Sequence, residues 1–187
     1  MVKLNKIYTR TGDGGSAGLV DGSRISKSSL RMIAIGEVDE ANAAIGVAIA
    51  ALGRGEAPEM LLRIQNDLFD LGADVATPGE IDGALRIVAG QVERLEREID
   101  AMNADLAPLT SFILPSGSAG VSALHLARAI TRRAERAAVA LSESEPLNPQ
   151  LLAYLNRLSD HLFVAARLIA ASEGGDILWQ PGGTRGD

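Results

Sequence analysis

The sequence predicts an all-α protein built as a bundle of five helices, and three observations carry that expectation. Apolar residues recur at alternating three- and four-residue steps in five separate segments, the spacing of helices packed nearly antiparallel. No long run alternates apolar and polar residues as a half-buried strand would. Among the 187 residues aromatics make up only 3%, while Ala, Leu and Ile abound, which favours thin interfaces between close helices over an aromatic β core.

The first stripe is Ala34, Val38, Ala41, Ile45, Ala48 and Leu52. The second, after Pro58, is Leu61, Ile64, Leu68, Leu71 and Val75. The third is Val88, Val92, Leu95, Ile99 and Met102. The fourth is Ala123, Leu126, Ile130, Ala134, Ala137 and Leu141, and the fifth is Leu151, Leu155, Leu158, Leu162, Ala165 and Ile169. Breaks stand between them at Gly53-Arg54-Gly55, Thr77-Pro78-Gly79 and Pro146 with Pro149, and after them at Gly174-Gly175. Two segments lie outside the scheme. Residues 5–29 are polar and Gly-rich. Residues 105–118 hold the apolar triplet Phe112-Ile113-Leu114 between Pro108 and Pro115, a stretch that resists helix yet favours burial.

Composition narrows the function. An apolar fraction of 47% fits one globular domain over residues 1–187 and argues against disorder. Eighteen basic against twenty-four acidic residues, a formal charge of −6, disfavour non-specific nucleic-acid binding, which depends on neutralising phosphates. Without cysteine there is neither a disulfide framework nor a thiolate metal site, which fits a cytoplasmic protein. The start, Met1 to Lys6, shows no apolar run of a secretory signal. Apolar runs elsewhere stop well short of the roughly 18 residues a membrane span requires, so no membrane partner is expected.

Several residues could carry chemistry. Tyr8-Thr9-Arg10-Thr11-Gly12-Asp13-Gly14-Gly15-Ser16 can turn backbone N–H groups toward one point, as a phosphate-binding loop does, with Arg10 and Lys27 adding charge. An ordinary flexible turn has the same composition. Gly12, Gly14 and Ala17 match a dinucleotide fingerprint only formally, since no βαβ unit follows, and no Walker sequence occurs. On the fourth helix His125, Arg128, Arg132, Glu135 and Arg136 share a side facing away from the apolar stripe. That side is either a polyanion-binding surface or a solvated face with an internal Arg132–Glu135 pair. The fifth helix sets Asn156, Asp160, Phe163 and Arg167 on one side; Asn156 suits either nucleotide recognition or a structural hydrogen bond. Asp39, off the first stripe with Asn42 and Gly46, is a metal ligand, an arginine partner or plain surface. The two histidines, His125 and His161, form no Glu-x-x-His pair, and no serine elbow supports a hydrolase triad.

Six blocks in order resemble one family. They are Lys6-Ile-Tyr-Thr-Arg-Thr-Gly-Asp-Gly-Gly-Ser, Gly36-Glu-Val-Asp-Glu-Ala-Asn, Phe112-Ile-Leu-Pro, Leu124-His-Leu-Ala-Arg, Arg132-Arg-Ala-Glu-Arg and Tyr154-Leu-Asn-Arg-Leu-Ser-Asp. The family is the propanediol-utilisation type of ATP:cob(I)alamin adenosyltransferase. The resemblance implies a five-helix up-and-down bundle with residues 1–29 as an ordered nucleotide-binding loop and 30–173 as the bundle. Residues 174–187 are expected to be a flexible tail, the alternative being that Trp179 to Thr184 form a lid over the corrin. The resemblance also implies a homotrimer with sites between subunits, ATP and Mg²⁺ as cofactors, the magnesium held mainly by the phosphates, and cobalamin as substrate. Tyr8, Thr9, Arg10, Thr11, Gly12, Asp13, Gly15 and Lys27 would form the loop side of the ATP site. Arg132, Arg133, Glu135, Arg136 and Asn156 would form its helix side. Arg128 would pair across the interface with Asp39, and Phe112 would lie beneath the corrin ring. An adenosylcobalamin-dependent enzyme and a cobalamin reductase are the implied protein partners. The competing class is a carrier or sensor that binds ATP or cobalamin without turnover. The chain departs from the family at Ala17, where Thr is usual, at Ser116-Gly117 in place of Gly-Gly, and at Ile35 in place of Tyr.

Overall fold

The computed structural model describes residues 7–185; the expectations for Met1 to Lys6, and for the last two residues of the tail, lie outside the described part. In chain order come β1 (Ser16–Gly18), β2 (Arg24–Ser26), α1 (Leu30–Leu52), α2 (Glu56–Val75), α3 (Ala89–Asn103), α4 (Ala119–Ser142) and α5 (Pro149–Ser172). The five-helix expectation holds. The three-residue strands pair antiparallel, with Ala17 opposite Ile25, and were too short to leave an alternating pattern in the sequence.

Local chemistry sets the helix ends. Ser29 Oγ accepts from Met32 N, Ser118 Oγ accepts from Val121 N, and Asn148 Oδ1 accepts from Gln150 N. Val88 N donates to Gln91 Oε1 at 3.0 Å, which supplies the start of α3. Two boundaries differ from the sequence expectation. The second helix begins two residues before Pro58, which is tolerated within a first turn that lacks hydrogen-bond acceptors. Pro149 begins a helix instead of ending one: it is the first residue of α5, where its fixed φ suits a helix start.

Packing pairs α1 with α4, α4 with α5, α3 with α5, and α1 with α2. The turn at 53–55 and the turn at 143–148 are short enough that the helices they join must run antiparallel. Small residues let α1 and α4 approach: Ala34, Ala41, Ala44 and Ala48 on one and Ala127, Ala134 and Ala138 on the other are buried. Gly120 makes the tightest approach, where a Cβ would lie 2.5 Å from Leu52 Cδ2. Asn42, expected at the surface, is buried instead: its amide donates to Gln65 O, and Gln65 Nε2 donates to Asn42 O. Among the described residues no helix is long and apolar enough to cross a membrane.

Three polar ties lock the ends of this core. Arg31 on α1 donates to Val75 O and, at 2.6 Å, to Glu145 Oε2. Asp67 accepts from Tyr154 Oη at 2.7 Å, from Gln91 Nε2 at 3.0 Å and from Arg94, joining α2, α3 and α5. Burial first, then the Asp67 carboxylate, pushes the Tyr154 phenol far above its ordinary range. Asp74, 1% exposed, accepts from Arg86 Nη1 at 2.7 Å, Ile87 N at 2.9 Å and Asn148 Nδ2 at 2.7 Å. Both oxygens of that carboxylate are hydrogen-bonded.

Removing it takes an acceptor from three donors and strands Ile87 N, while Arg86 keeps Thr77 O and Asn148 keeps Ile87 O. Asp74→Ala should lower unfolding free energy in urea by about 3 kcal/mol. Arg97→Ala, which breaks only the exposed pair with Glu93 at 3.9 Å, should change it by less than about 0.5 kcal/mol. Equal effects would mean that the Asp74 ties add nothing.

Candidate active site

The N-terminal loop closes on itself before the first helix. Gly15 N donates to Gly12 O at 3.1 Å, Lys27 N to Gly15 O at 2.9 Å, and the Thr9 and Thr11 hydroxyls meet at 2.8 Å. Arg24 Nη2 donates to Thr11 O at 2.7 Å and to Ser16 O at 3.0 Å, so a side chain not singled out in the sequence stitches the loop to the hairpin. Gly12 lets Lys27 lie close: a Cβ there would sit 3.1 Å from Lys27 Nζ, so the lysine tip would have to move aside. Arg10 has φ +64°, the one non-glycine residue in the left-handed region among those described, and its guanidinium lies 5.7 Å from the Tyr8 ring centroid. Thr9, Thr11, Asp13, Gly15 and Lys27 are all exposed. Such backbone is held by its surroundings, and it collects at ligand-binding loops.

On α4, Arg128, Arg132 and Arg136 stand four residues apart on one face, each about 6 Å further along the axis. Arg132 and Arg136 are exposed, and Arg136 Nη1 donates to Arg132 O at 3.1 Å. The Arg132–Glu135 pair does not form. Glu135 Oε1 instead accepts from Asn156 Nδ2 at 2.9 Å, and Asn156 Oδ1 accepts from Arg157 Nη1 at 2.8 Å, which fixes the Asn156 amide between α4 and α5. Arg133 departs from the group: its guanidinium is paired with Glu37 and Glu40 of α1, so it ties two helices together and is not free for phosphate. Its spacing beside Arg132 in the sequence could not reveal that, because adjacent helical residues point about 100° apart.

At its N-terminal end the arginine row runs into a cleft of about 550 Å³ lined by Leu109, Phe112, Ile113, Arg128, Phe163 and Trp179. Phe112, expected to seek burial with Ile113 and Leu114, is 79% exposed at the rim. Its ring lies 6.1 Å from that of Trp179 at 58°. The tail is not free, as the flexible-tail expectation had it: Trp179 N donates to Phe112 O at 2.7 Å and Leu114 N to Ile177 O at 2.8 Å. The Arg128 guanidinium lies 5.9 Å from the Phe163 ring centroid, with His125 on the same ring at 6.3 Å. His125 is buried at 3% exposure and does not face solvent, because α4 packs against both α1 and α5 and so buries a wider arc than one stripe.

Burial, and then the neighbouring Arg132, holds the Arg128 guanidinium below its ordinary pKa, and its buried Nε has no hydrogen-bond partner among the described residues. Asp39 is exposed on α1. Within the described part of the chain no hydrogen bond or ion pair joins residues 9–15 or Lys27 to Arg132, Glu135, Arg136 or Asn156. One chain therefore assembles a cationic helix face beside an apolar cleft, and separately a glycine-rich loop. No three His, Asp or Glu side chains gather as a metal site among the described residues. Sequence reasoning did not assign Arg24 or Phe163 to the site. A signal existed for Trp179, the sole tryptophan of a chain poor in aromatics.

Comparison with known proteins agrees over nearly the whole length. The family described as Cobalamin adenosyltransferase matches residues 7–169. The chain is 49% identical to the corrinoid adenosyltransferase of Mycobacterium tuberculosis, covering 98% of this chain and 97% of that one. It is 47% identical to the corrinoid adenosyltransferase of Bacillus subtilis, covering 94% and 92%. Among solved structures it is similar to a phenylalanine-to-alanine variant of the PduO-type ATP:corrinoid adenosyltransferase from Lactobacillus reuteri complexed with cobalamin and ATP. That match has a TM-score of 0.85 at 37% identity and covers 94% of this chain and 99% of the other.

Burial first, and the Arg128 charge second, lower the pKa of His125 below its ordinary value. The unfolded chain then binds a proton that the native chain refuses, so this contribution to stability is complete above about pH 6.5 and falls as the pH drops below it. Unfolding in urea should show wild type losing more stability than His125→Gln between pH 7.5 and 5.5, by at most about 1.4 kcal/mol per pH unit. Parallel pH curves for the two proteins would contradict this placement of His125.

Proposed function

The chain belongs to the cobalamin adenosyltransferase family, and from that premise we propose how it works as an ATP:cob(I)alamin adenosyltransferase. The reaction moves the 5′-deoxyadenosyl group of ATP to cob(I)alamin. Cobalt(I) supplies both electrons of the new cobalt–carbon bond, the C5′–oxygen bond breaks, and triphosphate leaves with that electron pair. The attacking atom belongs to the substrate, so the protein need provide no nucleophile. Its task is to orient C5′ and to stabilise an anionic leaving group.

The observation that carries this reading is the arginine row of α4, which starts at the apolar cleft and runs out along one helix face. A triphosphate laid along Arg132 and Arg136 meets planar donors about 6 Å apart, roughly twice the spacing of adjacent linked phosphates, so the two arginines reach its two ends while C5′ points to the cleft. Asn156, held by Glu135 and Arg157, presents fixed donor and acceptor groups to the nucleoside. Backbone N–H groups of Gly12 to Gly15, with Thr9, Thr11 and Lys27, would cradle the phosphates from the other side, and Mg²⁺ bound with ATP would add positive charge to the leaving triphosphate. Phe112 and Trp179 give the corrin an apolar support that excludes water from cobalt. Arg133 stays outside the site as a strut to α1.

Loop and helix face come from different chains of a homotrimer. Supporting this, among the described residues no hydrogen bond or ion pair joins the two halves, and Arg128 keeps a buried donor without a partner. An exposed Asp39 from the next copy would answer it, and an unmatched buried donor is costly enough to favour association. Ala17 leaves the loop one hydroxyl short of the family pattern without touching the arginine row.

Incubation with ATP, Mg²⁺ and chemically reduced cobalamin should yield the light-sensitive cobalt–carbon product, followed by absorbance. Arg132→Ala should abolish most of the ATP-dependent rise in Tm and cut kcat/KM by about a hundredfold. Phe112→Ala should keep that rise and lose turnover. ATP binding by wild type with no product would replace enzyme by carrier.

A site shared between chains permits complementation. Lys27→Ala and Arg132→Ala proteins, each weak alone, should regain activity when unfolded and refolded together, because random assembly restores about a quarter of the interfaces to two intact halves. Activity no higher than the average of the parents would place each site within one chain.

A further inference from the structure

Beyond the last helix the chain turns back at Gly174 and Gly175, whose φ values of +111° and +96° are strained for other residues. Leu178 then bridges Ile113 in antiparallel fashion, and Ser111 Oγ donates to Trp179 O at 2.8 Å. Two short exposed strands of this kind are marginal on their own. What fastens them is Arg167.

Arg167 lies on α5 and is 7% exposed. Its Nε donates to Asp176 Oδ2 at 3.0 Å, and its Nη2 donates to Ala107 O at 2.8 Å. One guanidinium thus grips the start of the tail and the start of the Pro108–Pro115 segment together. Asp176 is itself largely shielded, so water competes little for the bond. A buried guanidinium is a poor choice for core filling, where Leu or Met would avoid its desolvation cost. Its planar fork suits the simultaneous gripping of a carboxylate and a backbone carbonyl, which an apolar side chain cannot do and a lysine does without fixed geometry. Phe163, one turn earlier on α5, lines the cleft, so the fastening and the cleft wall share a helix.

We infer that Arg167, through Asp176 and Ala107 O, is a positioning residue for the corrinoid half of the site. It clips the tail to the proline-bounded segment and so holds Phe112 and Trp179 at the rim of the cleft. The inference rests on the transfer reaction proposed above. It assigns Arg167 to the corrinoid substrate and not to ATP, whose phosphates lie along Arg132 and Arg136 on another helix.

The test compares the full-length chain with Arg167→Gln and Asp176→Asn. Trp179 is the only tryptophan, so its emission reports the strap directly. Both variants should shift that emission to the red and make it more accessible to acrylamide. Both should raise KM for cob(I)alamin about tenfold, the loss expected for one shielded charge-assisted hydrogen bond. KM for ATP and the ATP-dependent rise in Tm should stay as in wild type. Should Arg167→Gln fail to fold, Asp176→Asn, which lies outside the bundle, carries the same measurements. Unchanged emission with unchanged corrinoid KM overturns the inference, as does an equal loss for both substrates. A wild-type protein that makes no adenosylcobalamin would sink the transfer reaction, while the emission comparison would still decide the clip.

Discussion

Close approach of α1 and α4 depends on the small side chains between them, and the place of each charged group on α4 follows from that approach. Buried alanines line α1 and α4, and Gly120 sits where a methyl group would strike Leu52. A helix held on two sides cannot rotate to relieve strain at one residue. Thr131, Ala134 and Ala138 then face inward, Arg132 and Arg136 outward, and Arg128 is left at the boundary, half covered by Phe163 and the proline-bounded segment.

The chemistry this frame serves depends on charge placement more than on reactive side chains. A chain with net charge −6 concentrates its useful cations in two places, the row on α4 and the loop that Arg24 stitches together. Arg133 shows the selectivity of that placement: one position along from Arg132, it meets Glu37 and Glu40 and becomes part of the frame. Arg128 shows its cost. Burial disfavours its charge, and among the described residues its guanidinium meets the face of Phe163.

Much of this was legible in advance. The helix spacing of Ala34 to Leu52, or of Leu151 to Ile169, is a property of local sequence, since residues three and four apart meet on any helix. Asn156 and the α4 arginines could be located by the same rule. The partners they chose could not. Asn156 binds Glu135 where an Arg132–Glu135 pair was an alternative, Asn42 is buried against Gln65, and His125 is inside. Each outcome depends on which second helix lies alongside, and helical periodicity within one segment carries no such information.

Sequence by itself determined that five amphipathic helices form, that the chain has neither a cysteine nor a serine elbow, and that its arginines and glycines suited to phosphate cluster in two segments. Six ordered blocks also identified the family. Tertiary structure alone decided that the tail folds back on Phe112, that Arg167 fastens it, that Arg133 is a strut, and that Arg128 keeps an unmatched donor. The difference is physical: periodicity, caps and turns are interactions within a few residues, whereas a side chain's hydrogen-bond partner is set by packing between segments that stand far apart along the chain.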